Sequence, residues 1–457
     1  MKKNALLTKI LILLALSLAL LVPVSAISNL ISERKHYQEE AVEKVVASTS
    51  GEQTVIGPVL VIPYVETVEE KQNGKTQNVK HELERYVLPR QLAIDGKLKV
   101  SPRSLGIYQA LIFGSEAGFN GHFEIPPQPE LLKPSIQLKT PYLAVGISDP
   151  RGIGKVPRLN AGGKALPFAA GAGLPRMSEG IHAALPQLLD LSKAQTLPFA
   201  FQLNLQGTRS ISYVPVGESS TLSLASNWPH PSFIGNFLPV QRNVDAKGFK
   251  AQWESSWFAN NLNDRFQQAA FSEGKSGLSA LPSFSTGLVQ PVDQYQQNER
   301  SVKYAVLFIG LTFLSFFLLE TLRSLRVHPI QYVLVGMALV MFFLVLLALS
   351  EHLGFGPAYL LAATACVGQI GFYVSHILGG WKRGLGFAGL LSLLYAVLYG
   401  LLQSEDNALL LGSLLLFAAL TAIMTLTRRL DWYRFSARSE EAAPEALALA
   451  PPPPPQS

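Results

Sequence analysis

Two kinds of hydrophobic pattern alternate along this chain, and the switches between them divide it into parts. Unbroken apolar runs lie near 6–27, 304–322, 330–349, 357–378, 385–402 and 408–426. A helix needs about 20 mainly apolar residues to cross a bilayer, because hydrocarbon offers no partner to an unpaired backbone group. The six runs approach that length and predict six membrane helices. Between 54 and 257 the pattern becomes short stretches of β-branched and aromatic residues separated by Gly, Pro, Asn and Asp, which reads as strands. Val59-Leu60-Val61-Ile62, Arg85-Tyr86-Val87-Leu88, the alternating stretch 199–205 and Gly248-Phe249-Lys250-Ala251-Gln252-Trp253 are examples. Turn signals such as Asp95-Gly96 break these runs and point to antiparallel sheets packed as a sandwich.

The predicted fold class is therefore a membrane α-helical bundle of about six spans plus a β-rich extracytoplasmic domain. Residues 1–27 form the first span, an anchor or signal anchor; 28–303 the outer domain; 304–427 a five-helix bundle; and 428–457 a tail with five consecutive prolines, which cannot pack a core. Within 32–47, Tyr37, Ala41, Val45 and Val46 at helical spacing predict a helix continuing out of the first span. Val292-Asp293-Gln294-Tyr295-Gln296 before Arg300 and Lys303 predicts a second stalk entering the membrane as one continuous helix. A short helix is expected around 186–193. Lys2 and Lys3, an apolar stretch and Val24-Ser25-Ala26 also fit a cleavable signal peptide, although the helical pattern that follows favours retention.

Charge sets the orientation. Of 38 basic residues, 27 lie in 28–303 against 24 acidic ones, so that region is nearly neutral despite an overall pI near 9.2. The remaining basic residues flank the apolar runs: Lys2, Lys3 and Lys9; Arg323 and Arg326; Lys382 and Arg383; and Arg428, Arg429, Arg434 and Arg438. The intervening loops carry Glu351 and the acidic stretch 403–406 instead. Basic loops stay in the cytoplasm, which places both termini there and 28–303 in the periplasm of a bacterial inner membrane. Basic charge used in this way is no sign of a nucleic-acid partner. The lone Cys366 falls in an apolar run and excludes a disulfide or a thiolate zinc site in the outer domain.

Candidate chemistry is sparse. Ser32-Glu33-Arg34-Lys35 has the S-x-x-K spacing of penicillin-recognising enzymes, but their S-D-N and K-T-G partners are missing. Gly152-Ile153-Gly154-Lys155 lacks the first glycine and the Ser/Thr of a phosphate loop. His36, His81, His122, His182 and His230 show no metal-ligand spacing. No catalytic residue, cofactor or metal is expected, and the chain reads as a non-enzyme. Ionisable groups near membrane depth are the better clues: Glu320, Glu351, His352 and His376. Their ordinary reading is as edge residues within reach of the interface; a proton or ion path is the sharper alternative, and contacts within the bundle, with Glu320 paired to Arg323 one turn away, are the third. Gly368, Gly371, Gly384, Gly386 and Gly389 are placed to let helices approach closely.

Several segments resemble the CreD family of inner-membrane proteins associated with cell-envelope integrity. The likeness is carried by Ser226-Asn227-Trp228-Pro229-His230-Pro231-Ser232-Phe233, by Gly248–Trp253, and by Pro291-Val292-Asp293-Gln294-Tyr295-Gln296 through Arg300 and Lys303. Ser350-Glu351-His352, His328-Pro329-Ile330-Gln331-Tyr332, Gly57-Pro58-Val59-Leu60 and Ser148-Asp149-Pro150-Arg151-Gly152-Ile153 extend it, over about 31–399. Leu105 stands where an arginine is expected beside Gly106. The resemblance implies a Gram-negative envelope protein under two-component control, linked to colicin tolerance and β-lactam response, with no established biochemical activity. The candidate functional residues are accordingly Trp228, Pro229, His230, Asp293, Tyr295, Arg300, Glu320, Glu351 and His352. Expected partners are the lipid bilayer and an envelope protein or cell-wall ligand bound by the outer domain; a transporter or channel formed by the C-terminal helices and a periplasmic hydrolase are the alternatives.

Overall fold

A computed structural model describes residues 5–72, 75–174, 177–256, 258, 261, 264–266, 281–289, 294–322, 327–377, 379–404 and 408–428. The tail, the loop carrying Arg323 and Arg326, and Asp293 lie outside the described residues. Two compact units divide the chain, one comprising Met1–Tyr37 with Val292–Ser457 and the other Gln38–Pro291.

The first unit is helical. Helix α1 (Ala5–Ser48) is unbroken over 44 residues, as the sequence predicts, and its last turns belong to the second unit. It is followed by α2 (Gln294–Lys303), α3 (Ala305–Leu322), α4 (Pro329–Leu353), α5 (Phe355–Ile377), α6 (Trp381–Gln403) and α7 (Ala408–Thr427). Among the described residues α1, α4, α5 and α6 are long and apolar enough to cross a membrane, and α2 with α3 makes a fifth candidate if the bent pair is one span. That bend, 45°, corrects the expectation of a continuous second stalk. The reason is local: the amide of Tyr304 bonds the Ser301 carbonyl three residues back, so the helical ladder is interrupted. The run at 408–426 forms α7 itself, 20 residues long and apolar over Leu410–Thr425.

Buried positions on α4 recur at Tyr332, Val335, Leu339, Phe343, Leu346 and Ser350, a stripe with helical period, while Leu334, Met337 and Met341 point outward. Helices α5 and α6 meet where side chains are smallest. A Cβ placed on Gly384 lies 2.4 Å from the Ser375 Cβ, and one on Gly371 lies 2.9 Å from the Ala388 Cβ. Gly368, Gly386 and Gly389 open onto free space and take no part in that approach.

The second unit is built of strands. In chain order they are β1 (Gln53–Gln72), β2 (Lys75–Val87), β3 (Gln91–Leu105), β4 (Tyr108–Ile125), β5 (Ile136–Leu138), β6 (Tyr142–Ile147), β7 (Arg158–Ala161), β8 (Lys164–Pro167) and β9 (Ala169–Ala170). Then come β10 (Gly180–Ala184), β11 (Gln195–Thr208), β12 (Ser210–Val214), β13 (Ser219–Ser226), β14 (Pro231–Gly235), β15 (Gln241–Asp245), β16 (Gly248–Ser256) and β17 (Phe284–Leu288). One sheet has the order β14-β17-β12-β1-β6-β10-β9, with β2 and β5 also on β1; the other runs β15-β16-β13-β3-β4-β11-β7-β8.

Both sheets are mixed. Strand β1 pairs in parallel with β12, and β3 with β13, which corrects the purely antiparallel expectation. The expected turn at Asp95-Gly96 is also corrected, since both residues lie inside β3 paired with β4 and the chain reverses at Gly106, φ 64°. Turn residues in any case carry no information about strands more than a hundred residues apart. The segment 186–193 forms turns and no helix: Gln187 sits at φ 56°, a left-handed value that interrupts a helix.

Alternation fixes what is buried. On β11, Leu197, Phe199, Phe201, Leu203 and Leu205 are buried and Pro198, Gln202 and Gln206 exposed. On β1 the apolar run Val59-Leu60-Val61-Ile62 is fully buried at all four positions, so both faces of the strand are covered there. The core cluster draws residues from both sheets, among them Val59, Phe119, Phe201 and Trp253.

Candidate functional site

The β unit contains a cleft of about 1060 Å³ whose walls include Tyr64, Glu84, Tyr86, Arg90, Glu124 and Glu218. Strand ends position these groups. The Glu218 amide bonds the Pro89 carbonyl at 2.9 Å, the Ser219 amide the Arg90 carbonyl at 3.1 Å, and the Arg90 amide the His122 carbonyl at 2.9 Å. These backbone bonds bring three separate strand ends to one rim. There Arg90 bonds the Glu218 carboxylate through Nη1 and stands 3.8 Å from Glu124 through Nε. On the facing strand Glu84 accepts from the Tyr86 hydroxyl, and the Tyr142 hydroxyl lies 3.3 Å from Glu84 and 2.9 Å from the Gly173 carbonyl. Both phenols are held above their usual pKa, first by burial and then by the adjacent Glu84 carboxylate. They are therefore neutral hydroxyls at any physiological pH. At the lip Phe258 is 88% exposed. The lining thus combines aromatic faces, hydroxyls, carboxylates and the guanidiniums of Arg85 and Arg90, a set suited to a polar ligand of mixed character.

In the sequence this region is legible only as strands. Arg90 and Glu218 are 128 positions apart, and no spacing rule joins them.

Trp228, Pro229 and His230 lie at the corner between β13 and β14. The indole Nε1 donates to the Val289 carbonyl at 3.1 Å, the Val289 amide to the His230 carbonyl at 3.3 Å, and the two rings meet edge to face with centroids 6.0 Å apart. Asn227 completes the corner by binding both the amide and the carbonyl of Val100, at 2.8 and 3.1 Å. Farther along, Phe233 packs edge-on against Phe249 and Trp253. The corner is thus tied to β3 and to the end of β17 by its own polar atoms.

In the helical unit the candidate residues fall into two separate nodes. Glu320 is 5% exposed. It receives the Lys9 ammonium, the Tyr332 hydroxyl at 2.8 Å and the Val327 amide at 3.1 Å. Among the described residues its cationic partner is Lys9 of α1; the expected partner, Arg323, lies outside the described residues. At the second node the Tyr295 hydroxyl donates to Glu351 at 3.0 Å, Arg34 of α1 stands 3.8 Å from the same oxygen, and buried Asn298 donates to Ser350 at 2.8 Å. Arg300 donates to the Ser404 carbonyl at 3.0 Å. His352 is exposed, and exposed His376 sits 3.0 Å from the Phe372 carbonyl of its own helix. Among the described residues no three His, Cys, Asp or Glu side chains are grouped to hold a metal ion.

A helical unit with, among the described residues, four or five candidate membrane spans, joined to a separate β-rich unit, defines an integral membrane protein with a large extramembrane domain. Residues 5–433 match the family described as inner membrane protein CreD, and the chain belongs to that family. It is 42% identical over 445 residues to the inner membrane protein CreD of Escherichia coli (strain K12), covering 97% of this chain and 98% of that one. Among solved structures an M1 zinc metallopeptidase of Deinococcus radiodurans aligns over 37% of this chain and 39% of its own with 8% identity and a TM-score of 0.20, too low to bear on fold or chemistry.

Proposed function

We propose that this inner-membrane protein contributes to cell-envelope integrity as a non-enzymatic receptor, binding a polar envelope ligand in the cleft of its β-rich domain. The single observation that carries this reading is the cleft of about 1060 Å³, walled by Tyr64, Tyr86, Glu84, Arg90 and Glu218. In this reading the domain is a two-sheet sandwich in the periplasm, both termini are cytoplasmic, and six spans anchor it. The alternation of basic and non-basic loops supports that orientation. Contribution of core residues by both sheets supports the sandwich.

Aromatic rings beside charged hydrogen-bonding groups bind hydroxyl- and amide-rich molecules, which among envelope components means cell-wall glycan or peptide. A photoreactive amino acid in place of Phe258 tests the reading in living cells. Cross-linking to soluble cell-wall fragments, abolished by Arg90→Ala with Tyr86→Ala, is the expected result. Equal labelling with and without those substitutions, or none under envelope stress, defeats it.

A further inference from the structure

The stretch Val24-Ser25-Ala26, which from sequence resembles a processing site, lies in the middle of an unbroken helix, and that helix is fastened to the helical unit from Lys9 to Arg34. Four residues of α1, Leu20, Val24, Ile27 and Ile31, are buried at successive spacings of four, three and four, the seam of a helix packed against other helices. Opposite them Ile10, Leu11, Leu14, Leu18 and Val22 are exposed and apolar, as a lipid-facing surface requires.

Three contacts fix the register of that seam. At one end the Lys9 ammonium, 27% exposed, meets the Glu320 carboxylate, 7% exposed, and Lys9 also reaches the Val327 carbonyl at 3.3 Å. In the middle Leu20 occupies the place of the missing side chain of Gly336: a Cβ built there falls 2.3 Å from the Leu20 Cδ1 and 2.9 Å from the Phe313 Cζ. Beyond the apolar stretch Arg34 faces Glu351, which Tyr295 also holds.

We infer that α1 is retained in the mature protein and that Glu320 is its docking site, an intramembrane carboxylate whose ligand is the Lys9 ammonium of the same chain. Removing residues 1–26 deletes Lys9, Leu20 and Val24 together. Among the described residues this takes from a buried carboxylate the one cation that meets it and opens a hole over Gly336. Of the two side chains that Gly336 accommodates, Leu20 and Phe313, Leu20 makes the tighter approach. The inference rests on α1 being the first of the six spans and is independent of any ligand in the cleft.

Two measurements on the full chain, tagged at its C-terminus and purified from membranes, test it. Intact mass and N-terminal sequencing should give a chain that still contains residues 1–26; a chain beginning at Ile27 overturns retention. For docking, Leu20→Cys with Gly336→Cys in a Cys366→Ala background should form a disulfide on mild oxidation. Lys9→Met should lower its yield at least tenfold, and adding Glu320→Gln, which removes the uncompensated charge while keeping an acceptor for Val327 and Tyr332, should restore it. A yield indifferent to Lys9→Met, or one that the second substitution does not restore, overturns the role of Glu320 whatever the mass shows.

Discussion

Arg151 grips Asp149 with two hydrogen bonds, Nε to Oδ1 at 2.9 Å and Nη2 to Oδ2 at 2.6 Å, and with its remaining nitrogen donates to the Ala47 carbonyl at 3.0 Å in the last turn of α1. A cation satisfying a helix's final carbonyls is a favourable cap. Asp149 in turn accepts from the Gly51 amide at 2.9 Å, so the pair joins the end of α1 to the start of β1.

That arrangement has a pH signature. The bonds from Arg151, with help from the Gly51 amide, lower the Asp149 pKa to about 2. A depressed carboxylate contributes stability that is fully present above its unfolded pKa, about 3.9, and is lost as pH falls through the folded value. Asp149→Asn should therefore lower the melting temperature at pH 7, and the difference from wild type should shrink as pH drops below about 4. Thermal melts of both proteins between pH 3 and 7 measure it; a gap that widens on acidification contradicts the assignment.

Trp253 is fully buried, stacks against Phe284 with centroids 6.3 Å apart, and donates from Nε1 to the Phe237 carbonyl at 3.2 Å. Trp253→Ala should cost about 3–5 kcal/mol. Trp253→Phe, which keeps most of the ring packing and orphans one carbonyl, should cost nearer 1–3 kcal/mol. Denaturant unfolding followed by far-ultraviolet circular dichroism gives both.

The glycines of α5 and α6 divide into two kinds that stability should tell apart. Gly384→Ala forces a methyl to within 2.4 Å of Ser375 and should destabilise the α5–α6 pair, whereas Gly386→Ala points into open space and should be neutral or slightly favourable. Melting in detergent micelles, with the two variants side by side, provides the comparison. Equal behaviour would remove close packing as the reason for Gly384.

The Arg90–Glu218 pair is about half exposed on both sides, so it should matter little for folding. Arg90→Ala should change stability by less than about 1 kcal/mol while reducing ligand capture at the cleft. A loss of folding as large as that of Trp253→Ala would recast Arg90 as a structural residue.

Periodicity decided much of this architecture before any tertiary contact. Long apolar runs have a single way to satisfy their backbone in hydrocarbon, so helices over 330–349, 357–378 and 385–402 follow from length and composition. Alternation at 199–205 and a wholly apolar 59–62 likewise dictated which strand faces are buried, because successive side chains on a strand point to opposite faces. The tight interaction of Trp228 with its own corner, by contrast, came out of the fold. The sequence singles that segment out by resemblance and cannot say that its indole is occupied by a carbonyl 61 positions away.

Only the tertiary structure decided the parallel pairings, the bend at Tyr304, the cleft and the partner of Glu320. All four depend on juxtaposing residues that are remote in sequence or on backbone bonds that no side-chain pattern encodes. Lys9 and Glu320 show the limit most clearly: their charges are legible along the chain, yet 311 positions separate them, and only helix packing brings the ammonium to the carboxylate.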